Sequence, residues 1–460
     1  MDFPGRKILV VGLGKTGIGL CRFLASQGAD VTAMDSATPP SLTAALEALR
    51  DCPVRFDLGS PQPSHWREYD MIIPSPGVPP ESAWLQEAAA AGIPVIGELE
   101  VASAFLRLPV AAVSGTNGKT TTTTLVGEML RASGKRPLVG GNIGTPLVDL
   151  LPAQVQADCW VLEISSFQLD TATSFRPQAA ALLNISDDHL DRYPDGHAYA
   201  RSKARLFQRQ QPEDLAVLNA DDPQVAALAS GLRSRIYLYS GRRTLTTGAW
   251  RTDGAITVRL AGGVALEFPL AEILLPEAHN RENIMAALLL ALEMGATPTG
   301  CREVLASFRG LPHRLEWVAQ WRGVDFFDDS KATNVGAVIR SLEHFNRPVV
   351  LIAGGRDKGG DYSPLKALVR RKVKTLILLG EARPALAAAF KGLTAMHPAT
   401  DLNQAVELAA AAAAPGDVVL LSPACSSFDM FRDYAERGNV FQQAVRSLAY
   451  GRQNSRLSLA

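Results

Sequence analysis

Short apolar runs alternate with longer amphipathic segments along most of the chain. The first of these runs lie at residues 7–12 (KILVVG), 31–35 (VTAMD) and 70–77 (DMIIPSPG). Brief, almost continuously apolar runs are typical of strands in a parallel sheet that helices cover on both faces. The pattern therefore predicts an α/β protein in which strands and helices alternate.

The apolar runs fall into three series, and a chain of 460 residues is long enough for three domains. The second series begins at 109–115 and the third at 324–330, with glycine and proline at 310–312 between them. The other runs are at 159–165, 180–186, 214–222, 348–355, 373–380 and 417–424, with a long helical pattern at 280–296. We predict domains at 1–97, 98–311 and 312–450, and a flexible polar tail at 451–460.

Composition and charge exclude several classes of protein. The 46 basic and 46 acidic residues cancel, so net charge favours neither a nucleic acid nor an anionic membrane as a partner. No segment approaches the roughly 20 apolar residues of a membrane helix, and the amino terminus lacks the apolar stretch of a signal peptide. The five cysteines form no C-x-x-C pair, which argues against a disulfide framework and a zinc ribbon. We expect a soluble, cytoplasmic, monomeric protein.

A first glycine-rich loop, GLGKTG at 12–17, follows the first strand and opens a helix, and Asp35 ends the next strand. This arrangement is typical of dinucleotide-binding folds, in which glycines let the backbone approach a pyrophosphate at a helix amino terminus. The alternative is a tight turn with only a structural role. The pattern does not identify the nucleotide.

A second glycine-rich loop, SGTNGKT at 114–120, joins another apolar run to a helix. Its N–H groups and Lys119 can surround the phosphates of a nucleoside triphosphate, and the Thr120 hydroxyl can bind Mg²⁺. The loop is a variant, because Val113 occupies the first glycine position of the strict G-x-x-x-x-G-K-[ST] pattern. We interpret most of the threonines at 121–124 as packing residues, some of which bond back to helix carbonyls.

Acidic residues near strand ends are the candidates for binding the metal that accompanies a triphosphate. Glu163, within the apolar run at 159–165, is predicted to end a buried strand and is the strongest candidate. His189 follows the run at 180–186, among Asp187, Asp188 and Asp191. For His189 a ligand or substrate-orienting role and a structural role both remain open, whereas most of these aspartates fit a solvated loop with helix caps.

Motifs along essentially the whole chain resemble those of the Mur ligases, the ATP-dependent amide-forming enzymes of peptidoglycan precursor synthesis. They are GLGKTG (12–17), SGTNGKTT (114–121), GGNIGTPL (140–147), EISSFQL (163–169), NISDDHLDRYP (184–194), HNRENIMAA (279–287), GLPHRLE (310–316), DDSKATN (328–334) and SPACSSFDMF (422–431). The resemblance implies a Rossmann-like UDP-binding domain, a central P-loop ATPase domain with a mostly parallel sheet, and a Rossmann-like carboxyl-terminal domain that binds the incoming amino acid.

The resemblance also assigns roles to residues. The catalytic group would be Lys119, Glu163, His189 and Lys203. The UDP end of the substrate would contact Gly14, Lys15, Thr16, Asp35, Ser36, Asn142 and His189. ATP would contact Gly115, Thr116, Asn117, Gly118, Lys119, Thr120, Thr121, Asn280, Asn283, Arg314, Asp329 and Lys331.

Two further sets of residues follow from the resemblance. The metal ligands would be Thr120, Glu163, His189 and Lys203, with two Mg²⁺ ions expected and Lys203 carbamylated so that it offers an anionic oxygen. The D-glutamate site would comprise Thr333, Lys358, Ser427, Phe428 and Tyr434. Tyr434 replaces a phenylalanine that is common in the family, and Arg356 stands beside Lys358 where some members carry an acid. These departures bear on amino-acid recognition and not on the reaction class.

The expected reaction is the ATP-dependent addition of D-glutamate to UDP-N-acetylmuramoyl-L-alanine through an acyl phosphate, with release of ADP and phosphate. Another family member that adds a different amino acid is the nearest alternative. The member that adds a diamino acid usually has an Asn-Pro-Arg signature, absent here, and folylpolyglutamate synthetases usually lack a separate first nucleotide domain. A nicotinamide-dependent dehydrogenase would explain the first loop alone. A non-catalytic nucleotide sensor would lose the metal ligands.

Overall fold

A computed structural model describes the chain as two compact units. One comprises Met1–Ile185 with His197–Phe308, and the other comprises Ser186–Gly196 with the chain from Arg309 onward. The described residues are 1–450 except 64, 80, 81, 187, 189–191, 276, 277, 358 and 360, and the side chains of 278, 279 and 450 are also left out.

The first unit begins with a small parallel sheet. Its strands are β1 (Lys7–Val11), β2 (Asp30–Asp35), β3 (Val54–Leu58) and β4 (Met71–Pro74), in the order β3-β2-β1-β4. The helices of this part are α1 (Lys15–Ser26), α2 (Thr43–Ala48), α3 (Ala83–Ala90) and α4 (Glu98–Ser103). All the strand pairs are parallel, so the first glycine loop lies at the carboxyl edge of the sheet.

A nine-stranded sheet forms the rest of the first unit, in the order β13-β12-β11-β10-β9-β8-β5-β7-β6. Its strands are β5 (Val110–Ser114), β6 (Pro137–Gly141), β7 (Cys159–Glu163), β8 (Ala179–Leu182), β9 (Leu215–Asn219), β10 (Arg235–Ser240), β11 (Gly248–Arg251), β12 (Ala255–Arg259) and β13 (Leu266–Pro269). The strands are parallel except that β12 runs antiparallel to both β11 and β13. The carboxyl ends of β5, β7 and β8 therefore meet at one edge.

Within the described residues, seven α-helices accompany this sheet. They are α5 (Lys119–Ala132), α6 (Leu147–Leu150), α7 (Ser166–Asp170), α8 (Gly196–Ala204), α9 (Pro223–Ala226), α10 (Ala278–Glu293) and α11 (Pro298–Ser307). Helices α5 and α10 pack in one buried cluster with the strands of the sheet. Because residues 284–291 of α10 are all buried, this helix is apolar on every side along that stretch.

The second unit contains a six-stranded sheet in the order β14-β15-β19-β16-β17-β18. The strands are β14 (Glu316–Trp321), β15 (Val324–Asp328), β16 (Val349–Gly354), β17 (Val373–Leu379), β18 (Ala395–Pro398) and β19 (Val418–Leu421). Among these strands, β14 pairs antiparallel with β15, and the other pairs are parallel. Helices α12 (Val335–His344), α13 (Lys366–Lys372), α14 (Arg383–Ala389), α15 (Leu402–Ala412) and α16 (Tyr434–Tyr450) complete the unit.

Short 3₁₀ helices occur at Pro39–Leu42, Trp66–Glu68, Leu151–Gln156, Arg205–Phe207, Ala227–Gly231, Leu270–Glu272 and Ser363–Leu365. Among the helices of the described residues, none has the length and apolar content to cross a membrane.

The predicted α/β fold class is confirmed, and each of the three series of apolar runs corresponds to one sheet. The patterns did not predict β3, β6, β10 to β14 or β18. Strand β3 is exposed or half-exposed along its length, and β11 to β13 are short strands at one side of the large sheet. Such strands lack the continuous apolar runs that mark the buried parallel strands.

Candidate functional site

The first glycine loop folds tightly between β1 and α1. Gly12 has a φ of 91°, and its N–H donates to the carbonyl of Met34 at 2.7 Å. A Cβ on Gly17 would lie 1.8 Å from the carbonyl oxygen of Gly12, so only glycine lets α1 approach the strand this closely. By contrast, a Cβ on Gly14 would meet no described atom within 4 Å.

Asp35 fixes this loop through one carboxylate oxygen and the turn after β2 through the other. Oδ2 accepts the N–H of Leu13 at 2.7 Å, and Oδ1 accepts the N–H of Ala37 at 2.9 Å. Lys15 and Ser36 are exposed at the same edge of the sheet. The structure therefore brings the described residues predicted to bind the UDP end together around one loop, apart from Asn142, which contacts Glu163.

The second glycine loop runs from β5 into α5, which begins at Lys119. The Lys119 ammonium donates to the carbonyls of Gly115 at 2.9 Å and Thr116 at 3.0 Å. Gly115 and Gly118 have φ values of 150° and 86°, which glycine adopts at little cost. The loop curls around the lysine at the amino terminus of a 14-residue helix, an arrangement that suits an anion.

Asn184 holds this loop in place from the end of β8, a role that sequence reasoning missed. Its carbonyl accepts the N–H of Thr116 at 2.9 Å, and its Oδ1 accepts the N–H of Asn117 at 2.8 Å. Its Nδ2 donates back to the Asn117 carbonyl at 3.0 Å. A polar residue directly after an apolar strand was the available signal.

Lys203 lies under the same loop. Its side chain is 1% exposed, and its Nζ donates to the Gly115 carbonyl at 2.9 Å. The amine also sits 4.4 Å from the centre of the Tyr199 ring. The amines of Lys119 and Lys203 therefore donate to the same carbonyl oxygen, although the two residues lie far apart in the sequence.

Glu163 ends β7 in register with Val113 of β5, immediately beside the loop. Its Oε1 accepts a hydrogen bond from Asn142 Nδ2 at 2.7 Å, and its main-chain carbonyl accepts the Asn142 N–H at 2.7 Å. Its Oε2 is buried without a hydrogen-bond partner among the described residues. Buried polar atoms are normally paired, so an unpartnered carboxylate oxygen indicates a position for a cation or donor.

Helix α10 brings Asn280 and Asn283 to the loop. Asn283 is buried and donates from Nδ2 to Asn280 Oδ1 at 3.4 Å. A Cβ on Gly118 would lie 2.2 Å from Asn283 Oδ1. The asparagine amide therefore packs directly on the glycine that immediately precedes α5.

The threonines that follow Lys119 differ in exposure. Thr120 is half-buried, whereas Thr121, Thr122 and Thr123 are buried. The hydroxyls of Thr122 and Thr123 have no hydrogen-bond partner among the described residues, so the expected bonds back to helix carbonyls are not made by these two. Their side chains act as packing residues, as predicted.

Several predicted site residues lie outside the described residues. These are His189 and Lys358, together with the neighbouring acids Asp187 and Asp191. Asp188 is described and belongs to the second unit, where its Oδ2 accepts a hydrogen bond from Asn334 Nδ2 at 3.0 Å.

In the second unit, Asp329 lies at the end of β15 and is 6% exposed. Its Oδ2 accepts from the hydroxyls of Ser341 and Ser422, and its Oδ1 accepts the N–H of Leu315 at 3.3 Å. Burial raises the pKa of Asp329 to about 7, against the opposing effect of these donors and of Arg314. The side chain predicted to contact ATP therefore also organises the surrounding loops.

Lys331, predicted to contact ATP, lies against Tyr434 at the start of α16. The Lys331 ammonium lies 3.6 Å from the centre of the Tyr434 ring. Ser427 is buried and Phe428 is 62% exposed. Arg356 pairs with Glu381 through two contacts of 3.2 and 3.3 Å at the surface.

Comparison with known proteins identifies the family. Models of the Mur ligase MurD-like N-terminal domain, the Mur ligase middle domain and the Mur ligase glutamate ligase domain match residues 6–97, 113–291 and 313–425. The chain belongs to the Mur ligase family. Members of this family are ATP-dependent ligases, so the predicted family and enzyme class are confirmed.

Relatives of this Mur ligase match over nearly its full length. The UDP-N-acetylmuramoylalanine–D-glutamate ligase of Geotalea daltonii is 48% identical over 98% of this chain and 99% of its own. That of Geobacter metallireducens is 47% identical over the same shares. The structure of UDP-N-acetylmuramate-alanine ligase MurC from Thermotoga maritima matches with a TM-score of 0.58 and 20% identity, over 96% of this chain and 100% of that chain. At that identity the match shows a shared fold.

Within this Mur ligase, the geometry gathers Lys119, Lys203, Glu163, Asn142 and Asn283 around the second loop. Asn142 was expected at the UDP end and lies directly beside Glu163. This cluster offers backbone N–H groups and an ammonium to phosphate, and an unpartnered carboxylate oxygen to a cation. It can therefore position a triphosphate for phosphoryl transfer.

Proposed function

We propose that the protein joins D-glutamate to UDP-N-acetylmuramoyl-L-alanine and converts ATP to ADP and phosphate in the process. The observation that carries the proposal is the 47–48% identity, over 98% of the chain, to ligases whose names state this reaction. The cluster around the second glycine loop supports it, because this chemistry needs a triphosphate held beside a carboxylate.

ATP is required because a free carboxylate is a poor electrophile. In the proposed reaction the substrate carboxylate attacks the γ-phosphate, forming an acyl phosphate and ADP. The amine of D-glutamate then attacks the acyl carbon, phosphate leaves, and the amine loses a proton as the amide forms. The protein contributes mainly by aligning reactants and by stabilising charge on the transferring phosphoryl group.

Lys119 and the loop N–H groups are the proposed phosphate ligands. In the structure the Lys119 ammonium already bridges two loop carbonyls, which holds it at the helix start. Asn184 fixes the loop from β8, so the donors are organised before the nucleotide binds. Asn280 and Asn283 would contact the nucleoside side of ATP.

The donor set around Glu163 fits Mg²⁺, which prefers carboxylate and hydroxyl oxygens. Glu163 Oε2 is buried and unpartnered among the described residues, while Asn142 fixes Oε1. Glu163 and Thr120 would hold one ion, and His189 and a carbamylated Lys203 a second. Bound there, the ions would neutralise charge on the transferring phosphoryl group.

Carbamylation of Lys203 would relieve an electrostatic conflict. The amines of Lys119 and Lys203 meet at the Gly115 carbonyl, and two ammonium groups so placed repel each other. Addition of CO₂ to the neutral Lys203 amine, with loss of one proton, would give an anionic carbamate instead. Labelled bicarbonate should produce a carbamate carbon signal in the wild-type protein, and the signal should vanish in Lys203→Met; a signal retained in that variant would refute the assignment.

The UDP end of the substrate and the incoming D-glutamate would bind at other positions on the chain. The first glycine loop, with Gly14, Lys15 and Thr16, would receive the UDP end. Thr333, Lys358, Ser427, Phe428 and Tyr434 would bind D-glutamate, and Arg314, Asp329 and Lys331 would complete the ATP site. We further propose the division into domains at 1–97, 98–311 and 312–450, which is supported by the fact that each proposed domain contains one family-model match.

Phosphate release from ATP in the presence of UDP-N-acetylmuramoyl-L-alanine tests the proposal directly. We expect turnover with D-glutamate and little with L-glutamate, D-aspartate or a diamino acid, and a product mass that corresponds to one added glutamate. Turnover with a different amino acid would make the protein another kind of Mur ligase. Phosphate release that does not depend on either substrate would contradict the proposal.

A further inference from the structure

Arg314 lies between two residues with unusual backbone conformation. His313 and Leu315 have φ values of 62° and 47°, in the left-handed region that residues other than glycine rarely adopt. A leucine is especially unfavourable there. Such strain persists only where the surroundings hold the backbone, and it concentrates at functional positions.

A set of buried and half-buried polar side chains holds His313. Its ring Nδ1 lies 2.7 Å from Asp328 Oδ2, and its main-chain N–H donates to Glu316 Oε2 at 2.8 Å. Gln442 Nε2, on α16, donates to both of these carboxylates, at 2.9 Å to Asp328 and 3.0 Å to Glu316. We call these four residues the His313 clamp.

Helix α16 is shaped to fit the His313 clamp. A Cβ on Gly438 would lie 2.2 Å from His313 Nδ1 and 2.8 Å from Asp328 Oδ2. Glycine within a helix is unfavourable, so its presence here is explained by the close approach of the histidine and aspartate. Arg437 is 1% exposed and ties the helix to the carbonyls of Ser330 and Cys425.

The His313 clamp is linked to Arg314 and Lys331, the two cations that we assign to ATP. The main-chain N–H of Lys331 donates to the carbonyl of His313 at 3.1 Å. The Lys331 ammonium rests on the Tyr434 ring, and the His313 ring packs edge-on against that ring at 6.2 Å. The backbones of Arg314 and Lys331 are therefore both attached to His313.

A metal site is the main alternative for this cluster. Ligand atoms of His313, Glu316 and Asp328 lie within 4.8 Å of one another. However, Gln442 already donates to both carboxylates, and the hydrogen bond to Asp328 raises the pKa of His313, which favours a protonated ring over a metal ligand. The contacts fit an internally satisfied clamp better than a cation site.

We propose that His313, Asp328 and Gln442 are positioning residues that orient Arg314 and Lys331 toward the nucleotide. The inference rests on the proposed function, in which these two cations contact ATP. It gives helix α16 a part in the reaction, although the helix begins at Tyr434, beyond the family-model match that ends at 425.

Two substitutions at His313 separate positioning from simple loss of stability. His313→Ala removes the donor to Asp328, whereas His313→Asn can place its Nδ2 near the position of ring Nδ1 and tolerates positive φ. We expect His313→Ala to raise KM for ATP about tenfold, with KM for the UDP substrate changed less than about twofold. His313→Asn should restore most of the loss.

Lys374→Met provides a matched control in the same unit. Lys374 Nζ donates to Asp417 Oδ2 at 2.8 Å, so this change also removes a donor from a buried carboxylate, but away from Arg314. It should lower thermal stability and leave KM for ATP unchanged. If Lys374→Met raises KM for ATP as much as His313→Ala does, or if His313→Asn fails to restore it, the clamp has no specific role in positioning.

A double-mutant cycle with Arg314→Ala gives the sharper test. If the clamp acts through Arg314, His313→Ala should add little to the effect of Arg314→Ala, whereas independent effects would multiply and overturn the proposal. A wild-type protein without ligase turnover would contradict the proposed function alone. The cycle would then use the affinity for a non-hydrolysable ATP analogue, measured by titration. Non-additive effects of His313→Ala and Arg314→Ala on this affinity would support the clamp, and additive effects would refute it.

Discussion

Glu163→Gln should have opposite effects on stability and on activity. In the structure one carboxylate oxygen of Glu163 accepts from Asn142, while the other is buried and unpartnered among the described residues. Glutamine keeps the bond to Asn142 and replaces an unpaired charge by a neutral amide. The substitution should therefore stabilise the protein in the absence of Mg²⁺ and nucleotide.

The expected sizes follow from these contacts. An unsatisfied buried polar atom costs about 1–3 kcal/mol, and part of this cost remains for an amide, so we expect a gain of about 1 kcal/mol. A metal at a phosphoryl group contributes several kcal/mol to catalysis, which corresponds to a loss of about 10²–10³-fold in turnover. Mg²⁺ with an ATP analogue at about 100 times Kd should stabilise the wild type by about 2.7 kcal/mol and the variant much less.

Glu100→Gln is the matched control, because Glu100 is a buried glutamate whose oxygens are fully used. Its carboxylate accepts from the N–H groups of Thr173 and Ser174 and from the Thr173 hydroxyl, at 2.7 to 2.9 Å. These donors hold the pKa of Glu100 below its usual range despite burial. The same substitution should here cost about 1–2 kcal/mol, since charge-assisted bonds become neutral ones.

Hydrogen exchange measures these changes locally, at the amides of β5 and β7 for Glu163→Gln and at those of Thr173 and Ser174 for Glu100→Gln. A local measurement suits a chain with two compact units better than one global transition. Phosphate release gives the activity. If Glu163→Gln loses as much protection as Glu100→Gln, the second oxygen of Glu163 has a partner and the reasoning about it is wrong. Turnover near the wild-type rate would remove Glu163 from the metal site.

Three other changes test separate parts of the structure. Gly118→Ala should lower nucleotide affinity, because its Cβ would lie 2.2 Å from Asn283 Oδ1. The control Gly134→Ala has a similar φ of 81° and no atom within 4 Å of its Cβ, so it measures backbone strain alone. Equal losses of affinity in the two variants would contradict the steric argument. Gly14→Ala should raise KM for the UDP substrate without changing the melting temperature, since its Cβ meets no described atom within 4 Å; an unchanged KM would place the pyrophosphate elsewhere. Burial raises the pKa of Asp329 from 3.8 to about 7. The folded protein therefore binds this proton more tightly, and the free energy of unfolding should fall as pH rises through that window. Asp329→Asn should flatten the decline in urea titrations, and an unchanged slope would show that Asp329 does not titrate there.

The two glycine loops could be predicted from the sequence because their structural requirements are local. Gly12 and Gly17 lie in one short segment, and the first must turn sharply while the second must admit a carbonyl oxygen. In the second loop, Lys119 bonds to carbonyls only three and four residues away. Because these requirements act over a few residues, they produce a recognisable pattern of glycines between an apolar strand and a helix.

Lys203 could not be placed in this way. It lies on α8, whose mixed composition resembles that of a surface helix, yet its side chain is buried against Gly115, 88 residues away in the chain. Only the family resemblance indicated a role. Asn184 presents a related difficulty, because its position after an apolar run indicates the edge of the sheet but does not show that it holds a distant loop.

The polar clusters in the two units differ in a way that bears on how each contributes. In the first unit, Glu163 has a buried oxygen without a partner among the described residues, which is unfavourable until a ligand binds. In the second, the carboxylates of Asp328 and Asp329 each accept several hydrogen bonds, and the unfavourable feature is the backbone on either side of Arg314. An unsatisfied carboxylate oxygen is suited to recruiting a cation, whereas a satisfied network around a strained turn is suited to holding a side chain in one orientation. The first arrangement should therefore be sensitive to Mg²⁺ and the second to substitutions on α16 that never touch the nucleotide.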